Sequence, residues 1–272
     1  MPPLSWALFC WHSQSNVVCC CTRRIAGGYF VELDYSDPGA SPTRFLEQIY
    51  SWTGVRFSST AESITATTAP VYKCVLVMAV SAARATPGFS CLRCYAVWVG
   101  GSRGVPTAAN VNSKLAGAKV PRTIDVLAIT GVTEVFLTWD ALSASAYHPR
   151  YVVLEVNPAF PPPDARTVPP GTPEWDGETD FYGASLQALV LASAQRDYTL
   201  VYVDATGERA FFVRNEVLAA GAGDATVGPD GSAHLRVPAS LTPERLYRQP
   251  NMFRSGGGYR ASGNTNWAKV NV

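Results

Sequence analysis

The sequence carries little charge and has no excess of either sign. Only 16% of its 272 residues are charged, and 22 Lys and Arg against 21 Asp and Glu leave a formal net charge of +1. Proteins that bind nucleic acid or an anionic membrane through their whole surface have a basic excess. The composition therefore excludes binding driven by overall charge, and we expect no nucleic-acid partner.

Histidine is scarce, and the cysteines follow no metal or disulfide pattern. Three His are too few for more than one cage built from imidazoles, and seven Cys, three of them adjacent at 19–21, are an odd number. Such a set is not typical of a secreted disulfide framework. Cys91 and Cys94 form a C-x-x-C pair without the second pair that zinc needs. We expect no metal, incidental or buried thiols, and a reducing compartment, cytoplasmic or organellar.

Long apolar runs are also missing. No segment reaches the roughly 20 uninterrupted apolar residues of a transmembrane helix. The first 12 residues are partly apolar but lack the basic residues that open a signal peptide. The sequence therefore predicts a soluble protein without a membrane span.

What the sequence does contain is an alternation of short apolar strands with helices. This alternation predicts an α/β fold with a doubly wound, mostly parallel sheet. The last two strands are joined by a short turn and predict an antiparallel C-terminal hairpin. Residues 72–80 are almost continuously apolar, which is typical of a strand buried on both faces, whereas residues 100–106 are predicted as a loop. The other predicted strands are 29–33, 54–57, 95–99, 124–129, 150–156, 199–203 and 210–213, and the helices are 43–52, 108–116, 133–141 and 183–195.

The composition also divides the chain along its length. Residues 1–28 are an N-terminal lead-in segment, and residues 29–218 form the α/β domain. Residues 219–272 are a tail rich in Gly, Ser and Arg. Within the domain, residues 157–178 contain seven Pro and are predicted as a long ordered loop or flap.

The loop after the first strand is the first candidate for a ligand site. An open parallel sheet binds ligands beyond the carboxyl ends of its strands. The residues Leu33-Asp34-Tyr35-Ser36-Asp37-Pro38-Gly39 offer backbone amides and a carboxylate at such an end. They match neither the G-x-G-x-x-G fingerprint nor a Walker loop. A nucleoside-type ligand loop and a plain polar turn both remain open from spacing alone.

Several motifs together resemble the FkbM-like methyltransferases, a class I S-adenosylmethionine-dependent family. The resemblance covers about residues 11–218 and depends on the order and spacing of the motifs. They are GGYFVELDYSDPGASPTRFLEQIYSWTGV from Gly27, TIDVL from Thr123, PRYVVLEVN from Pro149, DFYGASL from Asp180 and AFFVR from Ala210.

The resemblance implies a Rossmann-like class I methyltransferase fold that binds S-adenosylmethionine. It also implies transfer of the methyl group, in our interpretation to an oxygen of a small molecule or sugar. Glu32 and Asp37 match positions that face the methionine part of the cofactor. Ser58 stands where the family has the acid that binds the ribose hydroxyls. Thr130 stands at the strand-end Asp position, with Glu134 nearby.

Three further residues are candidates for contact with the acceptor substrate or the cofactor edge. Glu155 and Asn157 end a predicted strand, and Tyr182 precedes a predicted helix. Structural roles are the alternative. Glu155 would then pair with Arg150 or a backbone group, Asn157 would cap the turn before Pro158, and Tyr182 would pack at the helix start.

The replacement of two carboxylates leaves a second function open. A neutral hydroxyl at Ser58 or Thr130 is a weaker partner than a carboxylate. Each lost charge-assisted bond, about 1.5–3 kcal/mol, weakens binding roughly tenfold or more. The alternative is a catalytically inactive methyltransferase-fold module that binds or assembles with a protein partner.

Overall fold

The computed structural model describes nine parts of the chain, with the backbone alone at residues 99–103 and 143. These are residues 28–34, 41–44, 46–47, 52–58, 99–131, 133–143, 147–219, 241–249 and 261–271. It also gives the backbone of six short strands at 6–8, 21–23, 71–75, 93–97, 225–227 and 233–235. No helix in these parts is both long and apolar enough to cross a membrane.

Seven strands form one mixed sheet. They are β1 (Tyr29–Leu33), β2 (Thr53–Ser58), β3 (Val99–Arg103), β4 (Val126–Ile129), β5 (Tyr151–Glu155), β6 (Tyr198–Val203) and β7 (Arg209–Arg214). Their order across the sheet is β3-β2-β1-β4-β5-β7-β6. Six strands run in the same direction, and only β7 runs against them. The expected α/β fold with a mostly parallel sheet and an antiparallel final hairpin is confirmed.

Two apolar clusters cover the two faces of the sheet. The larger contains buried residues of α1, α2 and α3 together with alternate strand residues such as Val31 and Leu127. The smaller contains the intervening residues, such as Phe30 and Val126, with Leu218 of α4. Burial on both faces explains why the strands read as apolar runs. The helices are α1 (Val111–Gly117), α2 (Val135–Ser143), α3 (Leu186–Ala194), α4 (Asn215–Ala219) and α5 (Pro243–Leu246).

Of two predictions about the third strand, one was wrong and one is confirmed in part. The predicted loop at 100–106 contains most of β3, which pairs in parallel with β2 at the sheet edge. The glycines at 100 and 101 lower the strand propensity, but pairing with β2 overrides it. The strand predicted at 72–80 is present as Val71–Val75. It does not join the seven-stranded sheet but pairs antiparallel with Arg93–Val97 in a separate two-stranded sheet. Residues 76–80 lie outside the described residues. An apolar run does not by itself determine the partner of a strand.

Two parts of the C-terminal tail pack on the domain. Leu246 of α5 joins the larger apolar cluster. Further along, Ala268–Lys269 pairs antiparallel with Arg166–Thr167. Arg166 and Thr167 lie in the segment between β5 and α3, residues 157–185, which we call the flap.

The start of α3 is defined by one buried serine. Ser185 is the N-cap of the helix, and its hydroxyl accepts a hydrogen bond from the Ala188 amide at 3.3 Å. The same oxygen accepts from the Arg166 amide at 3.1 Å. The G-A-S-L motif therefore caps a helix and fixes the flap strand beside it.

We expect Ser185→Ala to lower the free energy of unfolding by about 1–2 kcal/mol, because it leaves two backbone amides without a partner. Ser193→Ala is the matched control in the same helix. Its hydroxyl is equally buried but has no hydrogen-bond partner among the described residues, so the change should cost little. Urea denaturation measures both variants, and equal losses would contradict the capping role.

Candidate functional site

The order in which successive parallel strands join the sheet reverses once, next to β1. The strand order runs outward from β1 to β3, and β4 then joins the other side of β1. The ends of β1 and β4 therefore form a switch point, where open α/β sheets bind ligands. We call this side of the sheet the carboxyl edge.

Asp34, Gly131 and Glu155 form a continuous strip along the carboxyl edge. Asp34 follows β1 with a φ of 63°, and Gly131 follows β4 with a φ of 73°. The Gly131 amide donates a hydrogen bond to Oε2 of Glu155. A Cβ on Gly131 would collide with the Asp34 carboxylate. Glycine is thus required at 131 by its backbone conformation and by the close approach of Asp34.

The electrostatics of this strip centre on Asp34. Burial, together with the negative charges of Glu155, Glu174 and Glu32, raises the pKa of the Asp34 carboxyl to about 7. The Asp34 Oδ1 atom is buried and has no hydrogen-bond partner among the described residues. An unpaired buried acceptor among like charges favours a cation or a donor-bearing ligand.

Three of the predicted cofactor residues have different outcomes. Thr130 directly follows β4 at the switch point, and its amide donates to the Leu33 carbonyl at 3.4 Å. Ser58 ends β2 and is buried, with its carbonyl accepting from the Gly104 amide at 2.8 Å. Asp37 lies outside the described residues. The structure therefore places Thr130 and Ser58 at the carboxyl ends of their strands.

Glu32 lies in a buried network between β1 and β2. Its Oε2 accepts from Nε of Arg56 at 3.1 Å, from the Ser41 hydroxyl at 2.8 Å and from the Thr43 hydroxyl at 2.5 Å. Glu32 and Arg56 are opposite each other in the strand register, and their side chains are 1% and 2% exposed. Arg56 also bonds Oε2 of Glu47 at 2.7 Å.

This network joins the sheet to the segment that follows the first loop. Ser41 and Thr43 come from that segment, and Glu47 lies in the helical turn after it. The arginine also lies 4.8 Å from the Phe30 ring centroid. Arg56 was not among the site residues predicted from the sequence. Its signal is a charged residue within an apolar strand, which indicates a buried partner for a charge such as Glu32.

The predicted residue Glu134 helps to anchor the flap to the carboxyl edge. Its Oε1 accepts from the Gly171 amide at 2.6 Å. Next to it, the Thr133 hydroxyl accepts from the Trp175 amide at 2.9 Å, and the Thr133 carbonyl accepts from the Gly183 amide at 3.0 Å. The turn that follows β4 therefore holds the flap at residues 171–175 and again at Gly183.

Asn157 and Tyr182 belong to the same structure. The fully buried Asn157 amide donates to the carbonyls of Asp180 and Tyr182, both at 2.7 Å, and its oxygen accepts from the Ala159 amide at 3.0 Å. The Tyr182 ring stacks on Trp175 with centroids 4.1 Å apart. Both side chains thus shape the flap, and Glu155 bonds a backbone amide.

A cavity of about 590 Å³ lies at the opposite edge of the sheet, where β6 begins and β7 ends. Trp139, His148, Arg196 and Arg214 are among its lining residues. None of its lining residues belongs to the strip of Asp34, Gly131 and Glu155. In the described part of the chain, no group of three His, Cys, Asp or Glu could hold a metal ion.

Comparison with known proteins identifies no relative. The chain matches no family model, no curated protein and no solved structure. The class of protein must therefore be argued from the strand order and the carboxyl edge.

We expect the contribution of Asp34 to stability to fall as pH rises from about 4 to 7, because folded Asp34 keeps a proton that the unfolded chain loses. Asp34→Asn removes this penalty and should raise the free energy of unfolding by about 1–2 kcal/mol at pH 8 and by almost nothing at pH 4. Asp197→Asn controls for the same substitution at a φ of 62°. Urea denaturation at both pH values tests this, and an equal gain at both would refute the electrostatic cause.

The buried pair of Glu32 and Arg56 should behave as one unit. Glu32→Gln or Arg56→Gln alone leaves a buried charge without its partner and should cost about 3 kcal/mol of stability. The double variant should cost clearly less than the sum of the two. A double-mutant cycle in urea gives the coupling energy, and additive losses would show that the pair is not coupled.

Proposed function

We propose that the chain is a class I methyltransferase-like protein that binds S-adenosylmethionine at the carboxyl edge. Its reaction would be the transfer of the methyl group to an oxygen of a small molecule or sugar. The proposal combines the sequence resemblance with the strand order and the charge of the switch point.

The strand order supports the finer fold assignment. From β3 to β5 the order is that of a doubly wound nucleotide-binding sheet. The antiparallel β7 between β5 and β6 adds the hairpin that the short turn between the last two strands predicted. A sheet of this order offers a ligand crevice between β1 and β4, which is where Asp34 and Gly131 meet.

The observation that carries the proposal is the buried Oδ1 of Asp34 at this crevice, which has no partner among the residues that the structure describes. The cofactor has a positive sulfonium and a positive ammonium group, against one carboxylate. Asp34, Glu155 and Glu174 concentrate negative charge at the end of β1. A bound cation would satisfy the buried Oδ1 of Asp34 and lower the repulsion among these groups. The residues therefore fit the methionine end of the cofactor.

The ribose end has a weaker set of partners. Ser58 supplies a hydroxyl at the end of β2, where a carboxylate would accept both ribose O–H donors. A neutral partner makes a weaker bond with each hydroxyl. We therefore expect binding through the positive end of the cofactor and reduced affinity for adenosine alone.

The chain's own residues would bind, orient and shield the ligand. Asp34 and Glu155 would hold the cationic end, and the flap anchored on Thr133 and Glu134 would exclude water. When bound, the cofactor would supply an electrophilic methyl group. Methyl transfer needs mainly an in-line approach, so positioning rather than a dedicated base would be the chief contribution of the protein.

One observation favours the alternative, a catalytically inactive binding or assembly module. Glu32, the acid that matches the cofactor-facing position of the first strand, bonds Arg56, Ser41 and Thr43 instead. A carboxylate engaged in this way stabilises the sheet and contributes less to a ligand. A protein partner would then take the place of the substrate.

Calorimetric titration with S-adenosylmethionine and S-adenosylhomocysteine distinguishes the two functions. We expect both to bind with a Kd below about 1 mM, and the methylated, cationic form to bind more tightly. Asp34→Asn and Glu155→Gln should each weaken that binding about tenfold, because each removes a charged acceptor.

Glu216→Gln is the matched control. This carboxylate is 69% exposed and lies at the opposite edge of the sheet, so its loss should leave the affinity unchanged. Absence of heat with either ligand at millimolar concentration would reject the methyltransferase and favour the inactive module.

A further inference from the structure

The C-terminal residues 261–271, which we call the strap, run along the outer side of the flap. The Ser262 amide donates to Oδ1 of Asp180 at 2.8 Å. The Val270 amide donates to the Ala165 carbonyl at 3.0 Å. Between these two bonds, Ala268–Lys269 pairs with Arg166–Thr167. The strap therefore bonds two parts of the flap, residues 160–167 and residues 180–183, which we call its limbs.

Trp267 fills the space between the two limbs. Its ring contacts Phe160 edge to face at a centroid distance of 4.7 Å and Phe181 at 4.9 Å. The guanidinium of Arg166 lies 4.3 Å from the Phe160 centroid and 5.8 Å from that of Trp267. Aromatic pairs and cation–π contacts of this kind add specific stabilisation to the buried area. One side chain of the strap thus joins three residues of the flap.

One of the two limbs that the strap joins, at residues 180–183, reaches the carboxyl edge. Asp180, which bonds Ser262, also offers its carbonyl to Asn157 at the end of β5. Phe181 is followed by Tyr182, which stacks on Trp175, and by Gly183, which bonds Thr133. Two bonds therefore lead from the strap to the turn that follows β4.

We propose that the strap is the positioning element of the ligand site at the carboxyl edge, with Trp267 as its positioning residue. It holds the flap against the turn that contains Thr133 and Glu134. The identity of the ligand depends on the proposed function, but the attachment of the flap does not. Because coupling between two sites is reciprocal, a ligand bound beneath the flap also strengthens the attachment of the strap.

Hydrogen exchange in the full-length protein tests the attachment without any ligand. The Val168 amide donates to the Gly183 carbonyl at 3.1 Å, and the Ser185 amide donates to the Arg166 carbonyl at 2.9 Å, so both amides report on the flap. Trp267→Ala should speed their exchange about tenfold, because local opening of the flap becomes easier. Trp267→Phe keeps an aromatic ring between the limbs and should restore most of the protection. Thr265→Ala changes an exposed strap residue and should have no effect.

Calorimetry with S-adenosylhomocysteine tests the positioning role. Trp267→Ala should weaken binding about fivefold, and Trp267→Phe should recover it. In the wild-type protein, saturating S-adenosylhomocysteine should slow exchange at the Ser262 and Val270 amides of the strap. A structural role alone would not predict this second effect.

The outcomes separate the two proposals. Unchanged flap exchange in Trp267→Ala overturns the attachment. Faster exchange with unchanged affinity overturns the positioning role. If wild-type protein binds no S-adenosylhomocysteine at millimolar concentration, the proposed function fails, and flap exchange alone decides whether the strap holds the flap.

Discussion

Burial of the sheet on both faces is the constraint from which the other features follow. Strand residues such as Phe30 and Val31 belong to apolar clusters on opposite faces, so polar groups have few places to lie. The charged pair inside the strands, Glu32 and Arg56, is satisfied within its own network, whereas Asp34 and Glu155 lie at the strand ends. This division separates groups that hold the fold together from groups that remain available for a ligand.

The sequence predicted the central strands well because parallel strands under two layers must be apolar. It failed at β3, where Gly100 and Gly101 give no strand signal and the pairing comes from β2. The position of the candidate site in the fold was predicted from the sequence, but the set of residues that forms it was not. Asp34 was read as part of a possible ligand loop, whereas the structure makes it the centre of the acidic strip. Its importance depends on Glu155 and Glu174, which are distant in sequence and which no local pattern relates to it.

Glu32 illustrates why residue type does not determine role. Its position in the first strand matched a cofactor-facing acid, yet its neighbour in register is Arg56. Register between strands separated by 20 residues is a tertiary property. The same reasoning applies to Asn157, whose amide satisfies two flap carbonyls. Polar residues at strand ends thus serve ligand and backbone alike, and only their partners distinguish the two uses.

The pairing of Ala268–Lys269 with Arg166–Thr167 changes where the domain ends. Composition places a boundary near residue 218, yet a fragment cut there would uncover Phe160 and Phe181, the rings that Trp267 covers. Newly exposed aromatic faces on a shortened fragment promote self-association. Recombinant fragments of this protein should therefore extend through residue 271, and any affinity tag at that end needs a linker long enough to leave the strand pairing intact.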